Sequence, residues 1–260
     1  MIDNGGMDTP LGPGDHLLTC PGQGGMALRL HLTPERAVHW PAGRTLFVAD
    51  MHLGKAAVFR ARGLPVPRGT TTATLQRLSQ VIERCGAQRL VVLGDFLHAR
   101  ESHALPTLAV LRAWRHRHAL LQCVVVQGNH DRHAGSVEAS LGFVPQHRPF
   151  QALGLIGVHE AHEARPWLNA DEPHPSPLIL TGHVHPVAVI RGRLDRLRLP
   201  CYWLQGLQGL QGHQPSPAHA TLTLPAFGEF TGGHEVDPQF GQVFIVGERV
   251  LRLPVSPPRP

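Results

Sequence analysis

The chain has 260 residues, 42% of them apolar, which is sufficient for one large domain with a substantial core. A formal charge of +5 favours an anionic partner such as nucleic acid, but it equally suits an ordinary soluble surface. The four cysteines are far apart and show no C-x-x-C spacing, so we expect reduced thiols and a cytoplasmic protein. No apolar run reaches the length of a membrane span, and the first residues lack a secretory pattern, so neither membrane insertion nor secretion is expected.

Short apolar runs and amphipathic segments alternate along the first 150 residues. Buried strands are predicted at residues 46–49, 90–93, 123–126, 153–158 and 178–180. Helices are predicted over residues 72–85, with Gly86 as the C-terminal cap, and over residues 104–118. This alternation is typical of a layered α/β domain, whereas the strands interrupted by Pro and Gly after residue 150 predict a second sheet.

Polar residues follow each of the five predicted strands. In chain order they are Asp50-Met51-His52, Gly94-Asp95, Gly128-Asn129-His130-Asp131, His159 and Gly182-His183-Val184-His185. Ligands and active sites collect at the carboxyl edge of the sheet in layered α/β domains. We therefore expect these carboxylates, imidazoles and the one amide to line a single site.

The residue types at the strand ends predict two divalent metal ions. Carboxylate, imidazole and amide oxygen suit Mn²⁺, Fe²⁺ or Zn²⁺, and the lack of thiolates argues against a structural zinc site. One ion is assigned to Asp50, His52 and His185, and the other to Asn129, His159 and His183, with Asp95 as the bridge. Two such ions generate a hydroxide at neutral pH and clamp the oxygens of a phosphorus under in-line attack.

Catalytic roles are assigned to His130 and Asp131. His130 is next to a ligand but is not needed as one, so we expect it to protonate the leaving alkoxide or to hydrogen-bond the phosphoryl oxygens. Asp131 is expected to orient the His130 imidazole and hold it cationic. His159 is preferred to His162 as a ligand because it directly ends an apolar run. The histidines expected at the surface are His98, His103, His116, His118, His133 and His162.

The order D-x-H, G-D, G-N-H-D, a lone strand-end His and G-H-x-H, over residues 45–190, resembles the calcineurin-like metallophosphoesterase superfamily. The resemblance implies an α/β fold, a four-layer αββα sandwich of two mixed sheets, with a dinuclear centre at the carboxyl edge. It also implies the ligand roles given above, position by position.

Segments outside the ligands resemble the bacterial ligase-associated DNA damage response endonuclease family, PdeM. These segments are ADMHLGKAAVFRARGLPVPRGTT (49–71), GDFLHAR (94–100) and LPAFGEFTGG (224–233). The closer resemblance implies a manganese-dependent phosphodiesterase and DNA endonuclease of bacterial repair, acting on DNA that we expect to be single-stranded. It further implies a functional association with a DNA ligase, a helicase and an exonuclease.

The similarity extends from about residue 28 to residue 250, which we take as one metallophosphoesterase domain. It is preceded by a partly disordered segment, 1–27, contains a flexible loop, 204–217, and is followed by a disordered tail, 251–260. Two departures from the family pattern stand out. His159-Glu160-Ala161 occurs where His-Glu-Pro is expected, and the LQG repeat in the loop is an extra insertion.

Three cations lie within ten residues of the first ligand pair, in a segment from Lys55 to Arg68 that we expect to be a loop. Lys55, the only lysine, together with Arg60 and Arg62 is placed to hold phosphates flanking the scissile one, although each also suits a solvated surface. Phe59 is a candidate for stacking on a base or for packing in the core.

Two other functions remain open. The same centre would serve a small-molecule phosphoesterase acting on a nucleotide, a cyclic nucleotide or a lipid-linked pyrophosphate, although no long apolar helix is present to receive a lipid. The fold would also serve a non-catalytic scaffold, but all seven expected ligands and His130 are present.

Overall fold

The computed structural model describes residues 10–22, 27–67, 69–135, 141–168, 177–192, 195–206 and 219–254. The helices in these ranges are α1 (Lys55–Ala61), α2 (Thr70–Cys85), α3 (Leu105–Arg117) and α4 (Asn129–Ala134). The strands are β1 (His16–Pro21), β2 (Ala27–Leu32), β3 (Val38–Trp40), β4 (Thr45–Val48), β5 (Arg89–Leu93), β6 (Gln122–Val126), β7 (Phe143–Gln146), β8 (Phe150–Ala152), β9 (Leu155–Gly157), β10 (Leu178–Thr181), β11 (Pro186–Arg191), β12 (Arg196–Gln205), β13 (Thr221–Thr223), β14 (His234–Glu235), β15 (Gln242–Val246) and β16 (Val250–Arg252).

The first sheet has seven strands in sequence order, from β1 to β7. Neighbours from β1 to β4 are antiparallel, and neighbours from β4 to β7 are parallel. The parallel half forms because α2 connects β4 to β5 and α3 connects β5 to β6, and parallel strands need such crossovers. The carboxyl ends of β4, β5 and β6 therefore lie side by side at one edge.

The second sheet has the order β14-β11-β12-β13-β10-β9-β8, with β15 paired to β12 and β16 to β15. It is also mixed, since β10 is parallel to β9 and β13 while β12 is antiparallel to its neighbours. Two mixed sheets with helices confirm the predicted α/β fold.

Alternating side chains of the central strands fill two apolar layers. Phe47 and Val91 point into the core between the sheets, where Leu180 and Tyr202 of the second sheet meet them. The residues that alternate with them along β4 and β5, such as Leu46, point to the opposite face of the sheet. They pack against α2 and α3. A strand covered on both faces reads as a continuous apolar run, which explains why these strands were predictable.

The outer face of the second sheet is covered by the 3-10 helix Ala161–Trp167. Its Ala164 packs against Ile156, Val158 and Ile179. This short helix forms the fourth layer of the sandwich within the described ranges, and it begins two residues after His159.

Both predicted helices are present, and Gly86 caps α2 in the left-handed conformation at φ 62°. Two local expectations are wrong. The segment after Lys55 begins with helix α1 rather than a loop, and α1 buries Ala56 and Val58. The apolar run at 153–158 is not one strand, because Leu153 occupies the turn between β8 and β9 and is 63% exposed.

The folded unit extends beyond residues 28–250. Strand β1 lies in the predicted N-terminal segment, yet it pairs with β2 over six residues and places Leu18 and Cys20 in the core. Arg84 of α2 further ties this strand to the helix through Asp15. The proposed loop and tail begin with residues of β12 and β16, while residues 207–217 and 255–260 lie outside the described residues.

The four cysteines are free thiols. Burial raises the pKa of Cys20, Cys85 and Cys123 to about 11 and that of Cys201 to about 12, so all are protonated at neutral pH. Across the described ranges, no helix has both the length and the apolar character needed to cross a membrane.

Candidate metal centre

The backbone turns sharply where the predicted ligands leave the strands. Five of the seven predicted ligands have a left-handed backbone, with φ of 52° at Asp50, 44° at His52, 51° at Asp95, 68° at His183 and 51° at His185. Residues with side chains rarely adopt this conformation, and such strain, of order 1–3 kcal/mol each, clusters at functional sites. This backbone conformation also directs the side chains of Asp50 and His52 towards one point. Their potential ligand atoms lie within 4.8 Å of each other.

The three residues assigned to the first ion lie together. His185 Nε2 is 3.4 Å from Asp50 Oδ1 and 3.4 Å from His52 Nε2. Asp50 is fully buried, and its carboxylate also accepts the backbone N–H of His183 at 2.9 Å. One carboxylate and two imidazoles are thus directed at one point.

The three residues assigned to the second ion also converge. His159 Nε2 is 2.9 Å from Asn129 Oδ1 and 3.1 Å from His183 Nδ1. His159 is buried, but the His183 side chain is 43% exposed. This half of the centre is therefore the one that opens to solvent.

Asp95 lies between the two sets of ligands. Its Oδ2 is 3.7 Å from His52 Nε2, and its Oδ1 is 3.6 Å from His159 Nε2. The backbone N–H of His130 donates to Oδ1 at 2.9 Å and fixes the carboxylate. Asp95 faces both sets at once, which is the position required of a bridging ligand.

The ring nitrogens that point away from the centre fix the tautomers of two imidazoles. His159 Nδ1 is 3.0 Å from the carbonyl of Leu93, and His185 Nδ1 is 3.1 Å from the carbonyl of Gly232. Because a carbonyl only accepts, each Nδ1 carries the proton and each Nε2 presents its lone pair to the centre. Lone pairs converging beside two carboxylates form a donor set that fits divalent metal ions.

Burial controls protonation at the centre. It lowers the pKa of His52 to about 2, aided by Lys55 and neighbouring imidazoles, so this ring is neutral and able to bind a metal ion at neutral pH. Burial likewise raises the pKa of Asp95. Burial also opposes the charged form of His185, but the Asp50 carboxylate outweighs it and raises the pKa of that ring.

Two glycines of the motifs are required by close approach. A Cβ on Gly94, which has φ 79°, would overlap the ring of His159. A Cβ on Gly128 would overlap the carboxylate and the backbone nitrogen of Asp95. Both positions therefore exclude side chains so that ligands from neighbouring loops can meet.

Asp131 does not orient His130, and that prediction is wrong. The Asp131 carboxylate accepts the backbone N–H groups of Gly128 at 3.0 Å and Leu97 at 3.2 Å. His130 Nδ1 instead donates to the carbonyl of His98 at 3.0 Å. Asp131 is the third residue of α4, a position whose side chain commonly accepts a hydrogen bond from the backbone N–H of the N-terminal cap residue. The His130 ring itself lies beside the centre, 5.0 Å from the ring of His52.

His98 belongs to the site, although it was expected at the surface. Its Nδ1 is 3.4 Å from His52 Nδ1, and its ring stacks on that of His130 with 4.9 Å between centroids. The backbone of residues 52–53 pairs with that of residues 95–98 beyond the ends of β4 and β5, which brings the rings together. In the sequence His98 follows no strand directly, so the strand-end pattern could not identify it.

Glu160 is a second neighbour that the pattern missed. Its Oε1 is 3.9 Å from His183 Nδ1, and it forms a compact group with His159 and His183. His162 is exposed and pairs with Glu160 at 3.3 Å, outside the ligand sets. The remaining histidines expected at the surface do not join the ligand groups within the described ranges. Of these, His116 and His133 are exposed, and His103 and His118 are half-buried.

Lys55 lies beside the centre as the first residue of α1. Burial lowers its pKa, while the carboxylates of Asp95 and Asp50 act in the opposite direction. Its Nζ is 5.8 Å from the ring centroid of Phe59, and that ring meets His98 edge-on at 6.2 Å. Phe59 is half-buried at the rim of the site and does not belong to an apolar core cluster.

Arg60 and Arg62 occupy different surroundings. Arg60 Nη1 donates to the carbonyl of Pro67 at 2.9 Å, so it holds its own chain segment. Arg62 is exposed, and its charge lowers the pKa of His98, which places it towards the site. Arg68 lies outside the described residues.

The chain is similar to one family of known proteins and to several solved structures. The family model described as "Calcineurin-like phosphoesterase" matches residues 43–217. The crystal structure of Pseudomonas putida nuclease MPE is 38% identical, with 92% of this chain and 100% of that chain covered and a TM-score of 0.69. The phosphoesterase YfcE from E. coli is 18% identical, with 77% of this chain and 87% of that chain covered and a TM-score of 0.37. No curated protein sequence matches the chain.

Proposed function

Because the chain belongs to the calcineurin-like phosphoesterase family, we propose that it is a phosphodiesterase that cuts DNA as an endonuclease, with two Mn²⁺ ions as its expected cofactors. The observation that carries the proposal is the convergence of two ligand sets on either side of Asp95. DNA as the substrate is supported by the 38% identity to a nuclease over nearly the whole chain.

The ligands would divide as the sequence suggests. Asp50, His52 and His185 would hold one ion, and Asn129, His159 and His183 the other, with Asp95 shared between them. Two divalent ions bound there supply a nucleophile from water at neutral pH and positive charge for the phosphoryl oxygens. Fe²⁺ and Zn²⁺ suit the same donors and are the alternatives to Mn²⁺.

We assign assistance of the leaving group to His130. Its backbone N–H is held by Asp95, and its Nδ1 donates to the carbonyl of His98, so Nε2 is the nitrogen left to face a substrate. In the protonated ring, Nε2 gives its proton to the departing alkoxide as the phosphorus–oxygen bond breaks. His98 supports this geometry because its ring stacks on that of His130.

Cations beside the centre would bind the DNA strand. Lys55 and Arg62 would bind the phosphates that flank the scissile one, whereas Arg60 acts mainly on its own segment. A protein that binds phosphates in this way has weak sequence preference. In line with the family resemblance, we propose single-stranded DNA as the substrate.

The cellular role we propose is DNA repair in a bacterial cytoplasm, together with a DNA ligase, a helicase and an exonuclease. The family resemblance of residues 49–71, 94–100 and 224–233 supports this setting. The four free thiols support a reducing compartment.

A substrate panel tests the proposed function against its alternatives. The protein is incubated with Mn²⁺ and either linear single-stranded DNA, circular single-stranded DNA, duplex DNA, cyclic nucleotides or a simple phosphodiester. The proposal expects cleavage of both single-stranded DNAs. Turnover of cyclic nucleotides alone would identify a small-molecule phosphoesterase. A protein that binds no Mn²⁺ and turns over nothing would be a scaffold of the same fold.

A further inference from the structure

A loop formed by residues 228–233 borders the first set of ligands. At its start, the Gly228 N–H donates to the carbonyl of Asp50 at 3.0 Å. Near its end, the Gly232 carbonyl accepts from His185 Nδ1 at 3.1 Å. The loop is therefore fastened at both ends to residues assigned to the same ion.

Phe230 stands midway between these two anchors. It is two residues from each, so its Cα lies within about 7 Å of both. Its side chain is 45% exposed, and its backbone is left-handed at φ 57°. In the part of the chain that the structure describes, its ring has no aromatic or cationic partner. An exposed aromatic ring on a strained turn beside a candidate centre is available to contact a ligand.

The chain holds this loop in a fixed place. Arg77 of α2 donates to the Glu229 carboxylate and to the carbonyl of Phe227, and its guanidinium lies 4.7 Å from the Phe227 ring centroid. These contacts leave Phe230 at the exposed tip of an anchored turn. The order of the turn lowers the entropic cost of binding a ligand against it.

A recess beside the first set of predicted ligands extends as far as the residue before Phe230. Glu229, the residue before it, lines this recess together with His52, Lys55 and Thr70. A phosphate bound near Lys55 would therefore bring its own nucleotide next to the loop. The base of that nucleotide is the flat, apolar group that the exposed ring would contact.

We propose that Phe230 is a stacking platform for an unpaired base of the nucleotide next to the scissile phosphate. The proposal rests on the proposed DNA substrate and names how one base is held. Every base presents a π-face, so stacking tolerates any sequence, but it needs a base that is not covered by its neighbours in a duplex. Phe230 would thus contribute a preference for single strands that phosphate contacts alone do not give.

Equilibrium binding tests this role without depending on cleavage. Fluorescence anisotropy of the full chain in EDTA compares an oligothymidylate with an abasic oligonucleotide of the same length and charge. Phe230→Ala is expected to weaken binding of the oligothymidylate by about 5- to 100-fold and to leave binding of the abasic strand unchanged. Phe230→Tyr should bind like the wild type, whereas Phe230→Leu should resemble Phe230→Ala.

Phe240 provides the matched control. It is 64% exposed on the 3-10 helix Pro238–Phe240, outside the anchored loop, so Phe240→Ala should bind both strands as the wild type does. Equal losses on both strands, no loss on either, or a changed oligomeric state of Phe230→Ala would overturn the stacking role. Base-dependent binding through Phe230 by a wild type that cuts no DNA would refute the nuclease function but not the platform.

Discussion

Backbone groups orient the ligand imidazoles of His159 and His185, whose outer nitrogens donate to the carbonyls of Leu93 and Gly232. His52 differs, since its outer nitrogen meets the side chain of His98. At the scale of single residues, the centre is therefore fixed mostly by groups that substitution cannot remove. The side chains around it can be exchanged with less risk to the ligands themselves.

His130→Ala is expected to keep metal binding and to lose about 10²- to 10⁴-fold in kcat on DNA, because the leaving alkoxide then lacks its proton donor. Hydrolysis of a bis(p-nitrophenyl) diester should fall far less, since nitrophenolate leaves without protonation. Steady-state kinetics on both substrates and Mn²⁺ titration by calorimetry measure the difference. Loss of one bound Mn²⁺ in the variant would instead make His130 a ligand.

The strand-end pattern predicted where the seven ligand candidates gather, because each of them lies within four residues of the end of a buried strand. It could not predict His98 or the partners of Asp131. His98 reaches His52 through hydrogen bonds between two loops, and the Asp131 carboxylate turns to backbone N–H groups. Both facts depend on the path of the chain after the strands, which apolar periodicity does not encode.

At the scale of elements, the sequence predicted helix α2 together with the residue that caps its C-terminus. Gly86 ends it in the left-handed conformation, and a Cβ there would meet nothing within 4 Å. Gly86→Ala should therefore lower the free energy of unfolding by about 1 kcal/mol through backbone strain alone, with activity unchanged. Gly86→Asn should lose less, because Asn tolerates this conformation. Urea denaturation of the wild type and the two variants measures their free energies of unfolding. Equal values would show that the strain is absent.

Strands β2 and β3 carry two buried imidazoles that face each other. His31 and His39 are 4% and 2% exposed, with 5.6 Å between ring centroids. Burial lowers the pKa of His39 to about 4 and also lowers that of His31, from an ordinary value of 6.5. As the pH falls from 6.5 towards 4, the unfolded chain therefore binds more protons than the folded chain. The folded state loses stability over this range.

Thermal melting should consequently show a falling Tm between pH 6.5 and pH 4. His39→Gln should flatten this dependence, whatever its effect on stability at pH 8, because a strongly depressed pKa value is removed. The slope of Tm against pH is the quantity to compare. Identical slopes in the wild type and the variant would place the acid sensitivity elsewhere in the chain.

Several elements escaped prediction for physical reasons. Strands β1 to β3 are short and antiparallel, and their polar residues interrupt the apolar pattern. Helix α1 has only seven residues and buries two of them, so its amphipathic signal is weak. The β8–β9 hairpin turns at Leu153-Gly154, where an exposed leucine resembles a strand residue in sequence.

At the scale of the whole molecule, a formal charge of +5 and the cations near the centre favour binding through phosphates. Raising the salt from 50 to 200 mM should lower kcat/KM on single-stranded DNA by about 7-fold, the effect of two phosphate contacts on a single strand. Hydrolysis of a small phosphodiester in the same buffers should hardly change. Salt-independent cleavage of DNA would argue against a grip on flanking phosphates.

Cleavage of circular single-stranded DNA with added Mn²⁺, by the wild type and by Asp95→Ala, tests the central claim most directly. A circle has no ends, so its conversion to linear fragments requires an endonuclease. Asp95 faces both sets of ligands, so its loss should abolish cutting and also exclude a contaminating nuclease. The account predicts linear products from the wild type and an intact circle with Asp95→Ala. An intact circle with both proteins, or equal cutting by both, would contradict it.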